Sequence, residues 1–89
     1  MSHHRDTPED APVDPQTLSR MRTRTFTAIR EREGYGATCD EVECITGMLH
    51  QTASARICEL VAMGLLEVSE LRRETRTMRT ARVYVVKKE

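Results

Sequence analysis

Between His50 and Arg56 the chain reads H-Q-T-A-S-A-R, a run of short polar side chains ending in a guanidinium. These groups suit recognition more than bond-making. The Gln51 amide can pair bidentately with an adenine edge, Thr52 and Ser54 can bond several bases or a phosphate, and the methyls of Thr52 and Ala55 can meet thymine. Arg56 has two readings that stay open: it reaches a guanine edge or a phosphate, or it pairs with Glu43 or Glu59 inside the fold. His50 is read as a cap or a phosphate neighbour, not as a metal ligand. Further on, residues 71–82 hold Arg72, Arg73, Arg76, Arg79 and Arg82 against Glu74 alone, a local charge of +4. Such arginines grip phosphates and add affinity with little sequence information.

The elements that position these groups are legible around them. Thr38 and Glu41 have the spacing of a capping box, and Val42 and Ile45 give the helix they start an apolar side. Gly47 ends it, because glycine accepts the left-handed conformation after a last turn. A second helix is predicted from about Gln51 to Met63, stopped by Gly64. Ala53, Ile57, Leu60 and Val61 fall on its inward face; Gln51, Ser54, Ala55 and Cys58 fall outward, with Thr52 and Glu59 on a flank. Two short helices joined this tightly form a helix-turn-helix, whose second helix commonly enters the DNA major groove.

Upstream, Pro15 opens a third helical pattern in which Leu18, Met21, Thr25, Phe26 and Ile29 keep the period. Gly34 and Gly36 are read as its end. Its arginines can touch phosphates, although a solvated face is the commoner use of such charges. Residues 1–14 are polar, with two Pro and little that is apolar, and are read as a disordered tail ahead of one domain, 15–89. His3 and His4 in that tail are a weak metal signal. Downstream, Leu66 and Val68 alternate with Glu67 and Ser69 as a half-buried strand, and Val83–Val86 forms a second. A long polar loop is expected between them. The fold class is thus mainly α with a small β-hairpin: a three-helix core with a C-terminal wing.

At 89 residues, 38% of them hydrophobic and none of them Trp, the chain makes one small aliphatic core and leaves little room for a buried catalytic cleft. The formal charge is zero but segregated: residues 16–32 carry +4, residues 33–47 carry −4, and residues 65–89 carry +3. Local footprints therefore matter more than the sum. No apolar run approaches the roughly 20 residues of a membrane span, and the N-terminus lacks the apolar stretch of a signal peptide. Cys39, Cys44 and Cys58 are odd in number, which favours a reducing compartment, and a cytoplasmic setting is expected.

The run from His50 to Leu66, H-Q-T-A-S-A-R-I-C-E-L-V-A-M-G-L-L, resembles the recognition helix of small winged-helix DNA-binding proteins, many encoded by phages or prophages. Thr38, Asp40, Glu41, Glu43, Thr46 and Gly47 match the T-x-D/E-E-x-E-x-x-T-G leader that precedes it there. The likeness spans roughly residues 36–86. It departs in the wing, where Met78 stands at a turn that often holds Gly. The resemblance implies binding to double-stranded DNA through His50, Gln51, Thr52, Ser54, Ala55 and Arg56 in the major groove, with Arg72, Arg73, Arg76 and Arg79 on phosphates or in the minor groove. It also implies a small regulator in the cytoplasm of a bacterium or a phage host.

Other readings remain. The acids Asp40, Glu41 and Glu43 can form the contact patch of a protein-binding adaptor, since a fold does not fix its use. An architectural factor for recombination or replication would keep the DNA and change the task. A zinc site from Cys39, Cys44, His50 and Cys58 lacks closely spaced ligand pairs, so no metal or cofactor is expected. Nor is an enzyme, a small-molecule substrate or a membrane partner; a homodimer fits the sequence without being required by it.

Overall fold

The computed structural model describes residues 14–88. Residues 1–13, most of the expected tail, lie outside the described residues. The last tail residue, Asp14, instead caps the first helix: its side chain accepts the Thr17 amide at 2.8 Å, and Pro15 occupies the first turn. Helix α1 runs Pro15–Arg30 and buries Thr25, Ala28 and Ile29. It stops short of Gly34, and a 3-10 turn, Glu33–Tyr35, follows. The chain has to turn here to deliver Ala37 to the hairpin, where it exchanges backbone hydrogen bonds with Tyr84 at 3.0 and 2.8 Å. Gly36 makes that approach possible. Its φ is +63°, and a Cβ at this position would lie 2.7 Å from Val85 Cγ1 and 2.8 Å from Val83 Cγ1.

Helix α2, Cys39–Thr46, starts with the full capping box: the Glu41 amide donates to Thr38 Oγ1 at 3.1 Å and the Thr38 amide to Glu41 Oε1 at 3.2 Å. Gly47 ends it at φ +79°. The three-residue turn, 47–49, is held by the Thr46 hydroxyl, which donates to Val42 O at 2.7 Å and accepts from the Met48 amide at 3.2 Å. Helix α3, His50–Ala62, buries Ala53, Ile57 and Leu60. These pack with Ile29, Ala37, Val42 and Leu66 into one aliphatic cluster, with Phe26, Val61 and Tyr84 at its margin. Ile45 does not join them. It is half exposed, facing a groove against α1 beside Thr23 and Ala28, so α2 is anchored by buried Val42, with Cys39 packed at the edge of the core.

The hairpin departs most from expectation. Strands β1, Leu66–Glu74, and β2, Thr80–Val86, are antiparallel and run well into the stretch read as loop, leaving residues 75–79 as the connection. Leu66 pairs with Val86 and Val68 with Tyr84; beyond a bulge, Arg72 pairs with Arg82, Arg73 with Ala81 and Glu74 with Thr80. The bulge places three residues of β1, 69–71, opposite Val83, which breaks the simple alternation. Val68, just before the bulge, is exposed and not half-buried, while Leu66 stays in the core. Met78 takes φ +64° at the tip, the conformation that glycine adopts most easily. The result is three helices followed by a two-stranded wing. No helix among the described residues is long and apolar enough to cross a membrane.

Candidate nucleic-acid interface

Helix α3 presents the polar run as its sequence implied. Gln51 is exposed, and Thr52, Ser54 and Ala55 are half-buried along the rim, with Ala53 and Ile57 sealed beneath. The N-cap of α3 is Leu49, which offers no side-chain acceptor, and no acid lies in its first turn. The carboxylate at that end is Glu43 of α2, which reaches the His50 ring at 2.7 Å.

Arg56 is engaged in an internal pair. Its guanidinium donates to Glu59 Oε1 at 2.7 Å and Oε2 at 2.8 Å, and only 11% of its side chain is exposed. Arg22 of α1 reaches the same Oε1 at 3.0 Å, so Glu59 fastens α1 to α3. Its pKa is lowered by the hydrogen bond from Arg56 and, after the opposing cost of burial, by that from Arg22.

Two wing arginines are also engaged within the fold. Arg73 donates to Glu41 Oε1 at 2.7 Å and Oε2 at 2.8 Å, and to the carbonyls of Tyr35 and Gly36 at 2.9 and 3.0 Å. Its guanidinium lies 3.7 Å from the centre of the Tyr35 ring, with Arg32 at 4.9 Å from the same centre. Arg32 adds a further bond to Glu41 at 3.0 Å. Glu41 thus caps α2 and anchors the wing at once, and the hydrogen bond from Arg73 lowers its pKa against the opposing effect of burial. Arg76 meets Asp40 at 2.6 Å and Glu43 at 3.1 Å. The acids Asp40, Glu41 and Glu43 are therefore covered by the wing, with at most 22% of any of the three side chains exposed.

What remains open on the wing is a different set of cations. Arg72 bonds the carbonyls of Ser69 and Leu71, at 3.2 and 2.9 Å, and no carboxylate among the described residues pairs with it. Arg79 is exposed at the tip. Arg82, counted in the basic block but not among the four arginines that the resemblance assigns to DNA, sits directly opposite Arg72 in the ladder and is exposed. Its importance depends on strand register, which the polar composition of residues 70–82 left unreadable.

Sequence reasoning named Glu43 as a possible partner of Arg56 or part of an acidic patch, and missed the link it makes. Its Oε1 holds Arg76 of the wing connection, and its Oε2 lies 2.7 Å from Nδ1 of His50, the first residue of α3. One carboxylate thereby ties the tip of the wing to the beginning of α3. The Cys39 thiol lies 3.5 Å from the same Oε2, and burial, reinforced by that hydrogen bond, pushes its pKa up to about 12. Comparison with protein-family models, curated proteins and solved structures finds no match to this chain.

Proposed function

We propose that the protein binds double-stranded DNA, with the outer face of α3 in the major groove and the wing on the adjacent backbone. Gln51, Thr52, Ser54 and Ala55 read base edges; Arg72, Arg79 and Arg82 hold phosphates, while Arg56, Arg73 and Arg76 keep the α3 and wing scaffold in place. His50 stands beside the phosphates at the start of α3. The observation that carries this reading is the facing pair Arg72 and Arg82, two cations without a carboxylate partner among the described residues, on a hairpin whose tip Glu43 links to the N-terminus of α3. Like charges directly opposite each other weaken a hairpin, and a polyanion removes that cost.

Pairing of Asp40, Glu41 and Glu43 with wing arginines is the reason to favour DNA over an adaptor that docks through those acids. Within the DNA reading, a small cytoplasmic regulator of bacterial or phage origin is the role we favour over an architectural one. Selection of bound duplexes from a random pool, repeated at two salt concentrations, tests this. An enriched sequence at both salts supports specific readout. Retention without enrichment points to architecture, and no retention at low salt refutes DNA binding.

A further inference from the structure

Three donor atoms of different chemistry converge where α2 meets α3. Cys39 Sγ, Glu43 Oε2 and His50 Nδ1 stand 3.5 Å (S to O), 3.8 Å (S to N) and 2.7 Å (N to O) apart. Cys39 and Glu43 are one helical turn apart on α2, and His50 opens α3 across the three-residue turn, so the backbone and not side-chain chance brings them together. From zinc bond lengths of about 2.3 Å to sulfur and about 2.0 Å to nitrogen or oxygen, ligand atoms around a tetrahedral ion lie about 3.3–3.6 Å apart. Two of the three separations are close to that range. The third is shorter, since Nδ1 and Oε2 stand at hydrogen-bond distance, and it needs to open by about half an ångström.

We infer that Cys39, Glu43 and His50 form a three-ligand site for a borderline-soft divalent cation, zinc above all, that clamps α2 to the start of α3. The donor set of one thiolate, one imidazole and one carboxylate suits zinc and is poor for magnesium or calcium, which take oxygen ligands. On binding, the Cys39 S–H bond breaks, sulfur keeps the electron pair and donates it to the ion, and the proton passes to solvent. His50 binds through Nδ1 as neutral imidazole with its proton on Nε2, and Glu43 gives Oε2 to the ion while Oε1 keeps Arg76. The fourth position faces solvent on the side of His50, whose side chain is 72% exposed, and water completes the shell. The sequence spacing of Cys39, Cys44, His50 and Cys58 matches no usual zinc finger, and Cys44 and Cys58 are not needed here. This inference does not depend on DNA binding.

The test uses the full chain under reducing conditions, with His3→Ala and His4→Ala in every sample so that the tail's imidazoles cannot contribute. Cobalt(II) is titrated as a visible stand-in and then displaced with zinc. The site predicts one equivalent bound, with thiolate-to-cobalt charge transfer and the ligand-field bands of a tetrahedral ion, both abolished by zinc. Cys39→Ser removes the charge-transfer band, His50→Ala and Glu43→Gln weaken binding, and Cys44→Ser leaves it intact. Zinc also raises the melting temperature of the parent chain but not of His50→Ala, an exposed substitution that keeps the thiol should Cys39→Ser fail to fold. Absence of a charge-transfer band in the parent, or its persistence in Cys39→Ser, overturns the site.

Discussion

Arg72 and Arg82 face each other across the wing, paired in the ladder, and neither meets a carboxylate among the described residues. In the same hairpin Arg73 and Arg76 are held by acids from α2. Five arginines that look alike in sequence therefore divide into two jobs according to which side of the ribbon they leave. Arg82→Thr should leave thermal stability unchanged or raise it by about 0.5 kcal/mol, by relieving the like-charge pair. Arg73→Ala should lower stability by about 2 kcal/mol, because Glu41 loses a bidentate partner. Urea unfolding of the two variants checks the division; equal losses would contradict it.

Glu41 makes stability depend on pH. Its folded-state pKa lies below the ordinary 4.5, chiefly through the hydrogen bond from Arg73. A carboxylate with a depressed folded-state value stabilises the fold above its unfolded pKa, and that contribution disappears as pH falls through the folded value. Glu41→Gln should therefore unfold at lower urea than the parent at pH 7, by about 2 kcal/mol, and the gap should close as pH falls below 4.5. A gap that persists undiminished at the lowest pH where both still fold would rule out the charge pairing as its source.

Gly36 is the tightest point between the helical core and the wing. A Cβ there would press on Val83, Val85 and the Tyr84 carbonyl, in a backbone conformation with φ +63°. Gly36→Ala should cost on the order of 3 kcal/mol. Gly34→Ala, with open space around it, is the matched control. Comparable melting temperatures for the two would show that the approach of Ala37 to β2 is loose.

The helices were largely legible because capping and period are local. Thr38, Glu41, Gly47, Ala53 and Ile57 each carry their meaning within a turn or two of chain. The wing was legible only in outline. Strand pairing is set between distant residues, and a polar stretch without alternation hides its register. The bulge at residues 69–71, the exposure of Val68 and the opposition of Arg72 and Arg82 all follow from that register. Charge partners were hidden for the same reason: residues 33–47 and 71–82 were read as separate acidic and basic blocks, whereas folding lays one on the other. Gln51 and Ser54, by contrast, were placed outward from helical phase alone, and they are at the surface or its rim.

Base readout assigned to Gln51 has its own signature. If its amide pairs with one adenine, Gln51→Ala should relax preference at a single position of the selected sequence, by about 1–3 kcal/mol of discrimination. Preferences elsewhere in the site and the melting temperature should hold, since Gln51 is exposed. An unchanged preference at every position would remove Gln51 from the reading surface.

The most direct measurement of the central claim is the salt dependence of duplex binding by the parent and by the Arg72→Ala/Arg82→Ala double variant. Each phosphate contact contributes about 0.9 to the log–log slope, so the double variant should bind all sequences more weakly with a slope shallower by about 1.8. An identical slope in parent and variant, or no measurable duplex binding by the parent at low salt, would contradict the account.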